Sequence, residues 1–181
     1  MRSLCVFCGA STGTNPLYRA AAAAFGKELA RRDIELVWGG GHVGLMGVVA
    51  DAVLDAGGRV YGVIPSFMVD RELAHPRAQQ MIVTADMHTR KAAMAERAEA
   101  FVTLPGGFGT LDELFEILTW AQLQLHAKPI GLLNVQGFFD PLLGAVQHMQ
   151  DEGFLRGEHA TMLHRADDAG ALIDLLESLR A

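Results

Sequence analysis

Short apolar runs alternate with helix-length segments along the chain, and this alternation is compatible with only a few fold classes. Six runs of strand length occupy residues 4–8, 35–39, 59–65, 80–85, 100–105 and 129–134. Segments with helical periodicity, such as residues 15–32 and 111–125, separate them. This β-α-β order predicts an α/β fold with a doubly wound parallel sheet and helices on both faces.

Length and charge narrow the class of protein further. A chain of 181 residues that is 50% hydrophobic is expected to bury roughly 70% of its unfolded surface, so we predict a single domain over residues 1–181. The net charge is −6, with lysines and arginines scattered, which argues against a nucleic-acid partner. The first apolar run is too short for a signal peptide or a membrane span. We therefore expect a cytoplasmic protein with no membrane partner.

The two cysteines, Cys5 and Cys8, form a C-x-x-C spacing within the first predicted strand. Residues three apart on a strand point to opposite faces of the sheet, so this pair is poorly placed for redox or metal chemistry. We expect both to be buried structural residues.

Three glycine-rich segments follow predicted strands, where open α/β sheets bind their ligands. They are "GASTGT" from Gly9, "GGGHVGLMG" from Gly39 and "PGGFGT" from Pro105. The second segment matches G-x-G-x-x-G, a dinucleotide fingerprint. The next strand, however, ends in "VIPS" without the acidic residue that would bind the ribose. Glycines that let a helix pack closely on the sheet explain this segment at least as well as NAD binding does.

The segment "PGGFGTLDE" combines two chemical functions. Its glycines allow close approach of a ligand, and we predict Thr110 as the N-cap of the following helix, whose free N–H groups suit a phosphate. Asp112 and Glu113 in the same turn would repel that phosphate. Two interpretations stay open: Thr110 and Glu113 form a capping box, or Glu113 is a catalytic base beside a bound phosphate.

Residues 86–101 are predicted to form a helix with Asp86 as its cap. Met87, Arg90, Lys91 and Met94 fall on neighbouring positions of one face. A solvated basic turn is the default interpretation, but the position after a strand favours contact with an anion or a ribose. The seven histidines show no H-E-x-x-H spacing and form no cluster with cysteine, so we predict no metal site.

The motifs together resemble one known family. "PGGFGTLDE", with "MHTRKAAM" upstream and "GGGHVGLMG" before both, is similar to the LOG family, the cytokinin riboside 5′-monophosphate phosphoribohydrolases, long labelled possible lysine decarboxylases. The resemblance runs from "VFCGAST" to "TWAQLQLHAKPIGLLN". It implies a Rossmann-like homodimer that hydrolyses the N-glycosidic bond of AMP or of N6-modified AMP. The products would be the free base and ribose 5-phosphate.

The resemblance also implies roles for individual residues. Arg90 and Glu113 match the family's catalytic arginine and glutamate. Trp38, His42 and Asp112 depart mildly from the family's usual residues, which bears on base preference more than on reaction type. The predicted nucleotide contacts, from the resemblance and from the motifs above, are Ser11, Gly41, Glu72, Met87, Lys91, Gly106, Gly107, Phe108, Gly109, Thr110, Leu111, Asp112 and Thr119.

The residue types suit this chemistry. Departure of adenine leaves positive charge on the ribose, which a carboxylate can stabilise while it orients or deprotonates the attacking water. We assign this role to Glu113, and we expect Arg90 to hold the phosphate or the ribose. No metal or organic cofactor is expected.

Two other functions stay open at the level of sequence. A lysine decarboxylase would need pyridoxal phosphate on a lysine, and the chain offers only Lys27, Lys91 and Lys128. A carrier protein on the same fold would bind phosphate without chemistry, but a carrier has no need of both Arg90 and Glu113. The apolar segment 114–125 is either a dimer interface or buried within its own subunit.

Overall fold

The computed structural model describes residues 1–69, 71 and 73–180. Within these residues seven β-strands form: β1 (Ser3–Phe7), β2 (Glu35–Trp38), β3 (Val60–Pro65), β4 (Gln80–Thr84), β5 (Phe101–Thr103), β6 (Ile130–Leu133) and β7 (Leu163–Ala166). The six predicted strands are confirmed. Strand β7 escapes the sequence analysis because it includes His164 and Arg165 and is only partly buried.

The same described residues form eight α-helices: α1 (Pro16–Arg31), α2 (Gly44–Asp55), α3 (Ser66–Val69), α4 (Met87–Arg97), α5 (Phe108–Gln122), α6 (Asp140–Asp151), α7 (Gly157–Ala160) and α8 (Ala169–Ser178). None of these helices has the length and apolar character that crossing a membrane requires.

All seven strands join one parallel sheet in the order β4-β3-β2-β1-β5-β6-β7. The chain starts in the middle of the sheet, builds outward to β4, and then returns to the other side of β1. This order confirms the predicted Rossmann-like, doubly wound parallel sheet. The direction of winding reverses between β1 and β5, so the helices that follow these two strands, α1 and α5, lie on opposite faces of the sheet and leave a crevice between them.

Helices cover both faces of the sheet, and each face has its own apolar core. Helices α1, α2 and α8 pack on one face, and helices α4, α5 and α6 pack on the other. The central strands are therefore buried on both sides, which is why they appear in the sequence as continuous apolar runs. Cys8 lies in the first core and Cys5 in the second, both buried and unbridged. This confirms the structural interpretation of the C-x-x-C spacing.

Helix α4 begins where the sequence predicts. The Asp86 side chain accepts a hydrogen bond of 2.8 Å from the Thr89 N–H, which caps the first turn. The cap fixes the start of a helix in which Arg90 and Lys91 are both buried, facing α5 and the sheet.

Candidate active site

A cavity of about 620 Å³ opens at the carboxyl ends of β1 and β5, at the point where the winding of the sheet reverses. Its volume lies within the roughly 300–1,000 Å³ that small-molecule sites occupy. Ten residues of the predicted site line it: Ser11, Met87, Arg90, Gly106, Gly107, Phe108, Gly109, Thr110, Asp112 and Glu113.

The loops after β1 and β5 pack tightly against each other at the base of this cavity. The Gly9 N–H donates a hydrogen bond of 3.1 Å to the Pro105 carbonyl. A Cβ at Gly106 would lie 2.2 Å from Thr110 Oγ1 and 2.9 Å from the Gly9 nitrogen. A residue larger than glycine would therefore force the two loops apart.

Helix α5 points its N-terminus into the cavity. The helix begins at Phe108 with Gly107 as N-cap, so the prediction that Thr110 is the N-cap is wrong. Gly107 allows the helix to start earlier, and Thr110 becomes the third helical residue, with a buried side chain. Gly107 has no side chain to cap the first N–H groups, and a Cβ at Gly107 or Gly109 would meet open space. The first turn thus offers unpaired N–H groups and the positive end of the helix dipole to an anion.

The capping-box interpretation of Thr110 and Glu113 is wrong as well. With the helix starting at Phe108, Glu113 lies in its second turn, and its side chain is buried. Its Oε1 atom is 3.1 Å from Arg90 Nη1, and the two side chains are only 10% and 6% exposed. Glu113 is therefore paired with a cation from the neighbouring helix.

Arg90 is held rigidly by the strands beneath it. Its Nε donates to the Val63 carbonyl at 3.1 Å, and its Nη2 donates to the Gly39 carbonyl at 3.4 Å. A Cβ at Gly39 would lie 1.8 Å from Arg90 Nη2. The absence of a side chain at residue 39 thus makes room for the guanidinium.

Glu113 has an unusual protonation equilibrium. Burial raises its pKa to about 7, although Arg90 and Lys91 oppose this rise. A carboxyl group with a pKa near neutrality exists in both protonation states at physiological pH. Such a group can accept a proton during a reaction, which an ordinary surface glutamate does poorly.

The "GGGHVG" segment serves packing rather than dinucleotide binding. The Leu45 N–H at the start of α2 donates to the Gly9 carbonyl at 2.9 Å. A Cβ at Gly44 would lie 2.2 Å from the Ala10 carbonyl carbon. The first turn of α2 is therefore covered by the β1 loop, and a pyrophosphate has no room there.

Four of the predicted nucleotide contacts lie outside the cavity wall: Gly41, Lys91, Leu111 and Thr119. The Gly41 carbonyl accepts a hydrogen bond from the Trp38 indole, and Lys91 is paired with acidic residues of α5. Leu111 of α5 packs against the second apolar core, and Thr119 lies on the exposed side of the same helix. Glu72 lies outside the described residues.

The sequence analysis missed the apolar part of the cavity wall. This part is formed by Tyr18, Leu45, Met46, Met68 and Phe138. The Tyr18 and Phe138 rings meet edge to face with centroids 5.5 Å apart. Phe138 follows the carboxyl end of β6, so the rule that directs attention to strand ends could have found it.

The described part of the chain contains no group of three or more histidine, cysteine, aspartate or glutamate side chains that could hold a metal ion.

Fold and site together define a class: a doubly wound α/β protein with a helix N-terminus and a buried ion pair in its switch-point cavity. The sequence model of a family described as "Possible lysine decarboxylase" matches residues 46–176. A probable cytokinin riboside 5′-monophosphate phosphoribohydrolase of Oryza sativa subsp. japonica is 48% identical over 97% of this chain and 78% of its own length. A cytokinin riboside 5′-monophosphate phosphoribohydrolase of Arabidopsis thaliana is 48% identical over 97% and 81%. The chain therefore belongs to this family, that of the LOG proteins.

Solved structures of more distant proteins share the fold. The molybdenum cofactor binding protein from Rippkaea orientalis has a TM-score of 0.75 at 20% identity, covering 99% of this chain and 98% of its own. The molybdenum cofactor carrier protein of Chlamydomonas reinhardtii has a TM-score of 0.73 at 22% identity, covering 98% and 96%. At this level of identity the likeness concerns the fold alone.

Proposed function

We propose that this protein is a phosphoribohydrolase that cleaves the N-glycosidic bond of AMP or of N6-modified, cytokinin-type AMP. It releases the free base and ribose 5-phosphate. Relatives named for this activity, at 48% identity over nearly the whole chain, support the proposal. The observation that carries it is the Glu113–Arg90 pair, in which a buried carboxyl group with a pKa of about 7 lies on the wall of the cavity.

The 5′-phosphate binds at the N-terminus of α5. The backbone N–H groups of Phe108, Gly109 and Thr110 lack intrahelical partners because they belong to the first turn. The glycines around them leave open space for a ligand. Ser11, in the loop after β1, lines the same cavity.

Glu113 acts as the catalytic carboxylate. When the base departs, positive charge develops on the ribose ring, and the ionised Glu113 stabilises this charge and accepts a proton from the attacking water. At neutral pH a substantial fraction of Glu113 is ionised because its pKa is about 7. The same pKa makes it a stronger base than an ordinary glutamate.

Arg90 orients the catalytic carboxylate and contacts the ribose or its phosphate. Its hydrogen bonds to the carbonyls of Val63 in β3 and of Gly39, directly after β2, fix the guanidinium before substrate arrives. This pre-organisation matters because correct positioning alone contributes several kcal/mol to lowering a barrier. The positive charge also keeps the pKa of Glu113 from rising further.

The base occupies the apolar part of the wall. Tyr18 and Phe138 offer aromatic surfaces, and Met46 and Met68 offer flexible, polarisable side chains. These residue types accept both an adenine ring and an aliphatic N6 substituent.

A second copy of the chain packs against the exposed side of α5. Phe115, Leu123 and Leu125 expose 39%, 63% and 68% of their surface there, which is unusual for apolar residues on one helix and its C-terminal extension. Thr119 lies about 13 Å along α5 from Thr110, so its predicted contact with nucleotide requires the site of that second copy. The single domain over residues 1–181 and the cytoplasmic location stay predictions.

The experiment that tests this proposal is chromatography of purified protein incubated with AMP, isopentenyl-AMP or adenosine. From each monophosphate we expect free base and ribose 5-phosphate in a 1:1 ratio. Adenosine, which lacks the phosphate, should react far more slowly. Binding of AMP without release of base from either monophosphate would instead favour the carrier function.

A further inference from the structure

The helix that binds the phosphate is acidic close to its N-terminus. Asp112, Glu113 and Glu116 all lie within the first nine residues of α5. Carboxylates stabilise the N-terminus of an isolated helix, but beside a bound phosphate they repel the ligand. Arg90 compensates the charge of Glu113. Two negative charges then need another partner.

Lys91 supplies that partner from outside the cavity. Its Nζ lies 3.1 Å from Asp112 Oδ2 and 3.1 Å from Glu116 Oε2. The Lys91 side chain is only 10% exposed, and it is absent from the cavity wall although Asp112 is part of that wall. Burial lowers the pKa of Lys91, but hydrogen bonds to the two carboxylates outweigh this and raise it above its ordinary value. Lys91 therefore stays charged.

The two consecutive cations of α4 thus form two parallel links to α5. Arg90 reaches Glu113, while Lys91 bridges the residues one before and three after Glu113 in the sequence. Residues 112 and 116 are one helical turn apart, so a single ammonium group can contact both. This arrangement fixes the rotation of α5 that directs Glu113 towards Arg90.

We propose that Lys91 is a positioning residue that does not touch the nucleotide: from behind the cavity wall it bridges Asp112 and Glu116, aligns Glu113 with Arg90, and offsets part of the negative charge that would repel the phosphate. The proposal rests on the proposed function, because it assigns Lys91 a part in the same site. It differs from the nucleotide contact that the sequence resemblance implies for this residue.

The surroundings of Glu113 give the proposal a measurable signature. Lys91 lowers the pKa of Glu113, whereas Asp112 and Glu116 raise it. Loss of Lys91 therefore removes one opposing charge and leaves two like charges uncompensated. The ionisable groups that face Glu113 from the packed elements are Arg90 and Lys91 of α4, Asp112 and Glu116 of α5, and Cys5 and Cys8 of the β1 strand and its end.

The test compares Lys91→Met with the double variant Lys91→Met/Glu116→Gln. For Lys91→Met we expect the acidic limb of the kcat/KM profile to move to higher pH by roughly one pH unit, the usual effect of a nearby charge. Affinity for ribose 5-phosphate, measured by calorimetry, should fall several-fold. The double variant should recover most of both losses, because it removes a negative charge together with the positive one. Lys27→Met, at an exposed lysine of α1, is the matched control and should resemble the wild type.

Two results would overturn the proposal. If Lys91 touches the phosphate, affinity for ribose 5-phosphate falls equally in the single and double variants. If Lys91 is only a surface ion pair, neither quantity changes. The pKa of Glu113 is also measured by ¹³C NMR of the carboxyl group in wild type and Lys91→Met. That measurement and the calorimetry do not depend on turnover, so failure of the proposed function is distinguishable from failure of this inference.

Discussion

The substitution Gly39→Ala adds a single methyl group and is expected to separate Arg90 from Glu113. A new Cβ would lie 1.8 Å from Arg90 Nη2 and 2.9 Å from Arg90 Cζ. Non-bonded heavy atoms separate to about 3.5 Å, so the guanidinium must withdraw by roughly 1.5–2 Å. Its Nη1 atom is only 3.1 Å from Glu113 Oε1, and a shift of that size breaks the pair.

The expected cost is mainly catalytic. Misplacement of a functional group by about 1 Å reduces turnover by about 10²-fold, and the shift forced at residue 39 is larger. Displacement of the Arg90 charge away from Glu113 also raises the pKa of Glu113 above about 7, so the acidic limb of the activity profile moves to higher pH. The clashing atoms belong to the far end of a flexible side chain, so the backbone of β2 need not move.

The assay is the rate of adenine release from AMP across pH 5–9, with a thermal melt of each variant. Gly144→Ala is the matched control, because a Cβ at this position in α6 meets open space. We expect it to keep full activity and to gain roughly 0.5–1 kcal/mol of stability. A Gly39→Ala enzyme with wild-type turnover and an unchanged pH profile would refute the role given to the Arg90–Glu113 pair.

Three further predictions follow from the same geometry. Glu113→Gln should lower turnover by roughly 10²- to 10⁴-fold with a nearly unchanged melting temperature; a large loss of stability with normal turnover would show a purely structural role. Arg90→Ala should raise KM and lower kcat, since it both holds substrate and orients Glu113, and an unchanged KM for AMP would exclude ground-state contact. Wild-type kcat/KM should rise with pH through about 7, because the base form of Glu113 has lost its proton; activity that falls over pH 6–8 would contradict this assignment.

The fold could be predicted from the sequence because strands that are buried on both faces of the sheet appear as continuous apolar runs. The six apolar runs predict six of the seven strands in the described residues, and only the weakly apolar β7 is missed. The strand order that places β1 beside β5 depends on tertiary pairing, which local patterns do not encode. The loops that meet at this junction were nevertheless identified, because their glycines are needed for close packing.

The sequence identified most residues of the site but not the contacts that they make. Arg90 and Glu113 were selected, yet the capping box assigned to Glu113 was wrong because Gly107 lets α5 start at Phe108. The partners of Lys91 come from another helix, 21 residues or more further along the chain, and no local pattern reveals such a pairing. The same holds for Tyr18 and Phe138, which come into contact on the cavity wall only in the folded chain.

The central claim is that the carboxylate of Glu113 performs chemistry on a nucleotide held at the N-terminus of α5. The most direct test measures, on the same samples of wild type and Glu113→Gln, the release of adenine from saturating AMP and the affinity for ribose 5-phosphate. The account predicts that the variant loses base release while its affinity for ribose 5-phosphate stays close to that of the wild type. Equal rates of base release from the two proteins would contradict it.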